Sequence, residues 1–386
     1  MKKILKNGGV QSLLASLMCI ILGLLIGYVV LLVINPTGAF EAILDVVKNF
    51  FNYAKANLQV KNFGNTLAKT APLLMCSLSI LFCYKVGLFN IGVAGQYVAG
   101  ACAGLYAALA WGWSWLPCLL FATLAAAASG VIVGLLKAYC NVNEVISGIM
   151  LNWITLYTTN MILTGVKETT SPYTLHLRTA NPSAILPSAG LDKIFKGNQY
   201  VSIAIPLAII CAVVILVLLN NTKLGYELKA TGFNKNAAKY SGMAEKRNII
   251  LTLAIGGALA GMGGALLYLT DYEQWMCTSS SVPGMGFNGI AAAFLGGLNP
   301  IGTIFASYFI QHITSGGAYV DKTMYCSQIS DLISSIIIYL CGFVFFIKYA
   351  MNLWLAKKES KGDARFTKKE LDEVKLAQAG KGGDAE

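Results

Sequence analysis

Long apolar runs recur along this chain, separated by short polar segments. The first run, Ser12 to Ile34, exceeds a signal-peptide core, and no small-residue cleavage pattern follows it, so we predict a retained transmembrane helix. Runs long enough to span a bilayer lie near 12–34, 67–84, 90–111, 115–136, 145–164, 200–219, 249–270 and 330–350. This pattern predicts an all-α, polytopic membrane protein.

The apolar segment 286–318 has two interpretations, because Gly296-Gly297-Leu298-Asn299-Pro300 interrupts its middle. A glycine and X-Pro cluster marks a turn rather than a helix interior. If 286–318 crossed once, the lysines that follow the last run would lie outside. Two short spans divided at Asn299-Pro300 return the C-terminus to the cytoplasm.

The distribution of positive charge sets the orientation, since basic loops tend to stay in the cytoplasm. The N-terminus and the loop 220–248 both carry basic clusters and are predicted to be inside. The count becomes about ten transmembrane helices with both termini cytoplasmic, and eight or nine remain alternatives. The rule does not account for basic residues in the predicted outer segments, which include Lys48, Lys55, Lys61, Lys69, Lys167, Arg178, Lys193 and Lys196.

Two parts of the chain are predicted: a transmembrane domain over 1–356 and a charged, partly disordered cytoplasmic tail over 357–386. Within the first, the outer segment 35–66 contains an amphipathic stretch, Glu41 to Leu58, that favours a helix at the membrane interface. The outer segment 165–199 is predicted to be a loop that contains several prolines.

Composition agrees with a membrane protein, because 56% of the 386 residues are hydrophobic and only 12% are charged. The net charge of +11 is explained by membrane orientation rather than by nucleic acid, which we do not expect as a partner. Most of the ten cysteines lie in or beside apolar runs and act as small hydrophobes. Cys277 and Cys326 fall in outer segments, which leaves a disulfide between them open.

Signatures of enzyme chemistry are weak. No P-loop is present, so the chain is not expected to bind ATP in that manner. The motif GMGFNG at 284–289 matches Gly-x-Gly-x-x-Gly by chance, since no strand precedes it. His176 and His312 lie far apart, and the pairs Asp271 with Glu273 and Asp321 with Asp331 are predicted to lie outside. Neither a metal site nor catalysis is predicted.

Small residues mark the inner loop and the helix after it. In the loop, Ala237-Ala238 is followed by Gly242, which suits a short helix in close contact with a partner; a plain basic loop is the alternative. The five glycines of the following run favour close helix packing over contact with substrate. They are Gly256, Gly257, Gly261, Gly263 and Gly264.

Polar groups open one apolar run, in VGLFNIGVAGQYVAG at Val86 to Gly100. Asn90 and Gln96 are costly in lipid, so we expect this helix to begin inside protein or beside a cavity. Amides there either line a path for a neutral, hydrogen-bonding substrate or join helices by hydrogen bonds. The sequence leaves both open.

Three stretches together resemble the permease subunits of ABC importers for simple sugars, branched-chain amino acids and nucleosides. They are Lys85 to Ala101, Ala230 to Met243 and Gly284 to Ser307. The first is most similar to the nucleoside-type permeases, and the likeness extends over nearly all of 10–350. Many relatives carry an acid where this chain has Ala94, and another where it has Asn288, which puts a carboxylate role there in doubt.

The resemblance implies a plasma-membrane translocation subunit with several partners: a cytoplasmic ATPase that binds ATP and Mg²⁺, a second permease chain and an extracellular substrate-binding lipoprotein, all within membrane lipid. This chain itself would bind no cofactor. The coupling residues implied in the loop 220–248 are Asn236, Ala237, Ala238, Lys239 and Gly242. The candidate substrate-path residues are Asn90, Gln96, Asn152, Phe287 and Asn288.

Three functions follow as hypotheses. The first is a nucleoside importer permease, and the second is the same machine for a simple sugar or a branched-chain amino acid. The third is a stand-alone secondary carrier or membrane enzyme. Inverted repeats with intramembrane charges would favour the carrier.

Overall fold

The computed structural model describes residues 8–321, 323–326, 328–344 and 346–353, and the structural statements below concern these residues. They form helices and connecting loops, with two isolated β-bridges. The tail predicted over 357–386 lies outside the described residues. The main helices are α1 (Gly8–Ile34), α2 (Ala39–Lys48), α3 (Ala56–Lys85), α4 (Val93–Leu109), α5 (Trp115–Cys140), α6 (Glu144–Leu163), α7 (Ala204–Asn221), α8 (Lys223–Phe233), α9 (Lys235–Tyr240), α10 (Glu245–Tyr268), α11 (Met285–Leu295), α12 (Pro300–Gly316) and α13 (Ile329–Cys341).

Each predicted membrane span coincides with a helix, and the segment 286–318 contributes two. Among the described residues, α1, α3, α5, α7 and α10 are individually long and apolar enough to cross a membrane. The helices α4, α11 and part of α13 are apolar but shorter. The all-α, multi-pass architecture is therefore confirmed.

Helix α10 lies at the centre of the bundle and packs against α3, α4 and α5. Its glycines allow this closeness: a Cβ on Gly257 would lie 2.5 Å from the carbonyl oxygen of Ala126, and one on Gly264 would collide with that of Tyr97. Lipid supplies no hydrophobic force between helices, so association depends on such contacts. The packing interpretation of these glycines is confirmed.

The division of 286–318 at Asn299-Pro300 is also confirmed. Gly297 and Leu298 have positive φ values of 65° and 53°, which end α11 and reverse the chain. The Asn299 side chain then caps α12 by accepting a hydrogen bond from the Ile301 amide at 3.0 Å. Pro300 occupies the first turn of α12, where its missing N–H costs nothing.

The single amphipathic helix expected between Glu41 and Leu58 is wrong. Helix α2 ends at Lys48, because Asn49 adopts a left-handed backbone with φ of 49° and its side-chain amide donates to the carbonyl oxygen of His312 at 2.5 Å. A 3₁₀ turn follows, and residues from Ala56 onward belong to α3. Helix α2 packs against α12 through the close approach of Gly316 to Val46.

The loop 165–199, which the sequence predicts to be outer, is tied to the end of α10. Asp271 is buried, and its carboxylate accepts from the Leu177 amide at 3.1 Å and lies 3.4 Å from Nε of Arg178. This loop contains two four-residue helices, Leu177–Ala180 and Leu191–Ile194. Cys277 and Cys326 are both free, so the disulfide that the sequence left open is not formed.

Candidate functional site

Three of the predicted site residues meet where α4 begins. Asn90, Gln96 and Asn152 are 3%, 3% and 2% exposed. The Asn90 amide donates to Oε1 of Gln96 at 2.8 Å and to Oγ of Ser79 at 3.2 Å. This network joins the start of α4 to α3, and its partner Ser79 was not predicted as a site residue.

Asn152 joins the same region to α6. Its Oδ1 accepts a hydrogen bond from the Gly95 amide at 2.7 Å, and its Nδ2 donates to the Ile91 carbonyl at 3.1 Å. The first N–H groups of a helix have no partner within the helix, so Asn152 satisfies one of them in α4. Gly95 is required for this approach, because a Cβ there would lie 2.7 Å from the Asn152 oxygen.

One polar atom of this cluster remains unsatisfied among the described residues, Nε2 of Gln96. It borders a cavity of only about 10 Å³ that Gly92, Ser129 and Thr155 also line. That volume corresponds to roughly one water molecule. In this conformation the amides bind helices together, and the space beside them is too small for a substrate.

Phe287 and Asn288 lie on a neighbouring helix, in the first turn of α11. Phe287 is exposed, and Asn288 is half-buried. Helix α11 is pressed against α4 at Gly286, where a Cβ would lie 2.6 Å from the Ala94 Cα. Ala94 and Asn288 are the two positions at which the resemblance leads us to expect an acid. Ala94 contacts Gly286, which lies two residues before Asn288.

The predicted coupling residues form a short, well-bounded helix, α9. The Asn234 side chain caps it by accepting from the amides of Asn236 and Ala237 at 3.0 and 3.1 Å. Its end is closed by Gly242, with φ of 79°, and by the Met243 amide bonding the Ala238 carbonyl at 3.0 Å. The short helix expected between Asn236 and Gly242 is thus present in the structure.

Two aromatic rings are exposed at the ends of α8 and α9. Phe233, the last residue of α8, and Tyr240, the last residue of α9, are 89% and 91% exposed, whereas Ala238 is buried against the bundle. Beside α9 lies a groove of about 480 Å³ whose wall includes the ion pair between Lys137 and Glu144, with a nitrogen–oxygen distance of 2.8 Å. Phe233 lines this groove, and both rings are accessible from outside the chain.

The end of α8, the helix immediately before α9, is held to two other helices. A Cβ on Gly87, at the end of α3, would lie 2.8 Å from the Gly232 carbonyl oxygen. Asn248, buried in the first turn of α10, donates to Oγ1 of Thr231 at 2.8 Å. These two contacts hold the end of α8, which precedes α9, to α3 and α10.

Among the described residues, no group of three or more His, Cys, Asp or Glu side chains could hold a metal ion. Within the described residues, the fold is a multi-pass helical bundle with a buried amide cluster and a small exposed loop helix, the architecture of a polytopic membrane protein.

Comparison with known families identifies the class further. Residues 62–342 match the family described as branched-chain amino acid transport system / permease component, and the chain belongs to this family. It is a multi-pass membrane transport protein rather than an enzyme. No solved structure gives a significant match.

Two curated relatives match nearly the whole chain, and a third matches three quarters of it. The nucleoside ABC transporter permease protein NupB of Lactococcus lactis is 30% identical over 94% of this chain and 98% of its own length. The guanosine ABC transporter permease protein NupP of Bacillus subtilis is 32% identical over 89% of this chain and 96% of its own. The glucose ABC transporter permease protein TsgB13 of Haloferax volcanii is 26% identical over 75% of this chain and 79% of its own.

Proposed function

We propose that this chain is the translocation subunit of an ATP-driven ABC importer for nucleosides. The observation that carries the proposal is similarity of about one residue in three to NupB and NupP across nearly the full length of both relatives. Uncharged amides at the start of α4 are compatible with a neutral, hydrogen-bonding cargo, since a charged one would need a paired ion at membrane depth.

Helix α9 is the proposed docking element for a separate cytoplasmic ATPase, which binds ATP and Mg²⁺. The exposed backbone and side chains of Asn236, Ala237, Lys239 and Gly242 face the partner, with Phe233 and Tyr240 as anchors. Ala238 has a different role: it is buried and fixes α9 to the bundle.

Hydrolysis on the ATPase would tilt α9, and contacts at Gly87 and Asn248 would pass the motion to α3 and α10. A second permease chain would supply the other half of the path, and an extracellular lipoprotein would deliver the substrate. Asn90, Gln96, Asn152, Phe287 and Asn288 remain the proposed path region. The first three become accessible only when α4 moves, because the cavity beside them now holds about one water.

A simple sugar is the second candidate, favoured by the similarity to the glucose permease TsgB13. A branched-chain amino acid is the third, favoured by the family description. A stand-alone carrier is disfavoured by membership of the permease family.

Uptake in a strain that lacks this gene tests the proposal. We expect loss of labelled guanosine and uridine uptake, with glucose and leucine uptake unchanged, and recovery on re-expression. Loss of glucose or leucine uptake instead would replace the nucleoside assignment.

Ala237→Trp tests the docking role within the same assay. Ala237 is exposed in regular helix, so bulk there blocks a partner without disturbing the chain; Gly242→Trp would also strain the left-handed turn. Ala180→Trp, on an exposed outer-loop helix, is the matched control. We expect Ala237→Trp to insert normally and to lose both uptake and co-purifying ATPase. If it retained both, α9 would not be the docking element.

A further inference from the structure

A second large cavity lies toward the opposite end of α3 from the coupling element. Its volume is about 450 Å³, it is open on one side, and it is lined by the 3₁₀ turn after α2, the first half of α3, the residue after Asp271 and the chain from α12 to α13. Lys69 in its wall and Lys85 at the end of α3 are separated by about 24 Å of helix. All of these segments were predicted to be on or near the outer side.

Three tyrosines line the cavity. Tyr53 and Tyr319 meet edge to face, with ring centroids 5.5 Å apart. Tyr272 packs edge to face on Tyr200, and Nζ of Lys69 lies 4.8 Å from its centroid. Lys69 covers one face of Tyr272, and a purine or pyrimidine base would stack on the tyrosine faces that are left open.

The cavity wall also carries polar and charged side chains. Asn49 is 1% exposed; its Nδ2 is committed to His312, and its Oδ1 has no partner among the described residues. That oxygen is itself buried, so the open space of the cavity does not reach it in this conformation. Asp331 adds an exposed carboxylate, the group that elsewhere accepts hydrogen bonds from ribose hydroxyls.

The charge of the cavity favours a neutral ligand. Lys69 is neutralised by Glu273, with a nitrogen–oxygen distance of 2.8 Å. Asp331 then remains as a negative charge in the wall, and it would repel a phosphate group. The cavity therefore suits a molecule with an aromatic ring, hydroxyl and N–H donors and no phosphate.

We infer that this cavity is an outer-side subsite that binds the nucleoside within a single permease chain and rejects the nucleotide. The inference rests on the proposed function, and it adds a location and a selectivity to it. The base lies on the tyrosine rings, and the ribose hydroxyls donate to Asp331.

Photolabelling of the intact transporter complex with 8-azidoguanosine tests the subsite. We expect the label in peptides that contain Tyr53, Tyr272 or Tyr319, displaced by guanosine and not by guanosine monophosphate. Label confined to other peptides, or displaced equally by the monophosphate, would overturn the inference.

Two variants with matched controls separate binding from misfolding. Tyr53→Leu removes a half-exposed ring and should raise the guanosine concentration for half-displacement about 10-fold, the cost of one stacking contact. Tyr173→Leu, on the outer loop, should leave it unchanged. Asp331→Asn should allow the monophosphate to compete, whereas Asp192→Asn should not. Unchanged displacement in both cavity variants would refute the subsite.

The two proposals fail in distinguishable ways. If wild-type cells import no guanosine, the proposed function falls with the subsite. If they import guanosine but the cavity is neither labelled nor altered by its variants, only the subsite falls.

Discussion

Gly87 and Gly232 are in direct backbone contact, and a Cβ added to Gly87 would lie 2.8 Å from the carbonyl oxygen of Gly232. Gly87 belongs to the turn that ends α3, and three residues later Asn90 enters the amide network of α4. Gly232 belongs to the end of α8, immediately before the helix that we propose as the docking element. The contact therefore connects the segment before α9, the proposed ATPase-docking helix, to the segment that leads into the buried helix α4.

The contact predicts that Gly87→Ala destabilises the protein more than a substitution in the same backbone conformation without neighbours. Gly112 provides that control, because its φ of 68° resembles the 80° of Gly87 and nothing lies within 4 Å of its Cβ position. Both variants incur the left-handed cost of about 1–2 kcal/mol, and Gly87→Ala should add about 1–3 kcal/mol from overpacking. Thermal unfolding in detergent measures the difference, and equal melting temperatures would argue against a tight contact.

The exposed rings beside α9 should matter for coupling and not for folding. Phe233→Ala and Tyr240→Ala remove side chains that are almost fully exposed, so stability should change by less than about 0.5 kcal/mol. If the rings anchor the ATPase, each substitution should weaken its binding about 10-fold or more. Binding of the purified ATPase to permease in nanodiscs measures this. Tyr226→Ala, an exposed ring on α8, is the control, and wild-type affinity in both test variants would exclude an anchoring role.

The hydrogen bond between Asn90 and Gln96 predicts energetic coupling. In a double-mutant cycle of Asn90→Ala and Gln96→Ala, the double variant should lose less stability than the sum of the two single variants. The difference should be about 0.6–2 kcal/mol, the range for an amide bond between membrane helices. Thermal unfolding of the four proteins provides the values. Simple additivity would mean that the 2.8 Å bond contributes nothing and would favour a path-lining role for these amides.

Native cysteines provide a test of orientation. Cys140 and Cys326 are exposed, at the predicted inner and outer sides, whereas Cys277 is buried in the outer region. Burial raises the pKa of the Cys277 thiol, which lowers the reactive thiolate fraction further. A membrane-impermeant maleimide should label Cys326 in intact cells and Cys140 only after permeabilisation, with Cys277 protected in both. Peptide mass spectrometry identifies the labelled cysteines, and Cys326→Ser is the control. The opposite labelling pattern would mean that the predicted topology is inverted.

The cap at the start of α12 predicts a graded effect. Asn299→Ala removes the acceptor for the Ile301 amide and should cost about 0.5–2 kcal/mol, whereas Asn299→Asp retains an acceptor and should cost little. Thermal unfolding distinguishes them. If the two variants were equally unstable, the cap would not be what begins α12.

Much of the architecture could be predicted from the sequence, because a bilayer imposes strong local rules. Each predicted run became a helix, and the Asn299-Pro300 turn divided 286–318 as its glycines and proline indicated. The short helix between Asn236 and Gly242 was also predicted, because capping and left-handed residues are local signals. The resemblance to a permease family came from three contiguous stretches and agrees with the family match.

The tertiary structure decided which polar groups meet. The sequence placed Asn90 and Gln96 in one helix start, but Asn152 reaches them from 57 positions beyond Gly95. The end of α2 at Lys48 depends on a bond from Asn49 to His312, 263 positions away, and no local pattern predicts it. The cavity lined by Tyr53, Tyr272 and Tyr319 exists only because distant segments fold together. Hydropathy and caps act within a few residues, whereas hydrogen-bond partners, close glycine contacts and cavities depend on the packing of helices that are remote in sequence.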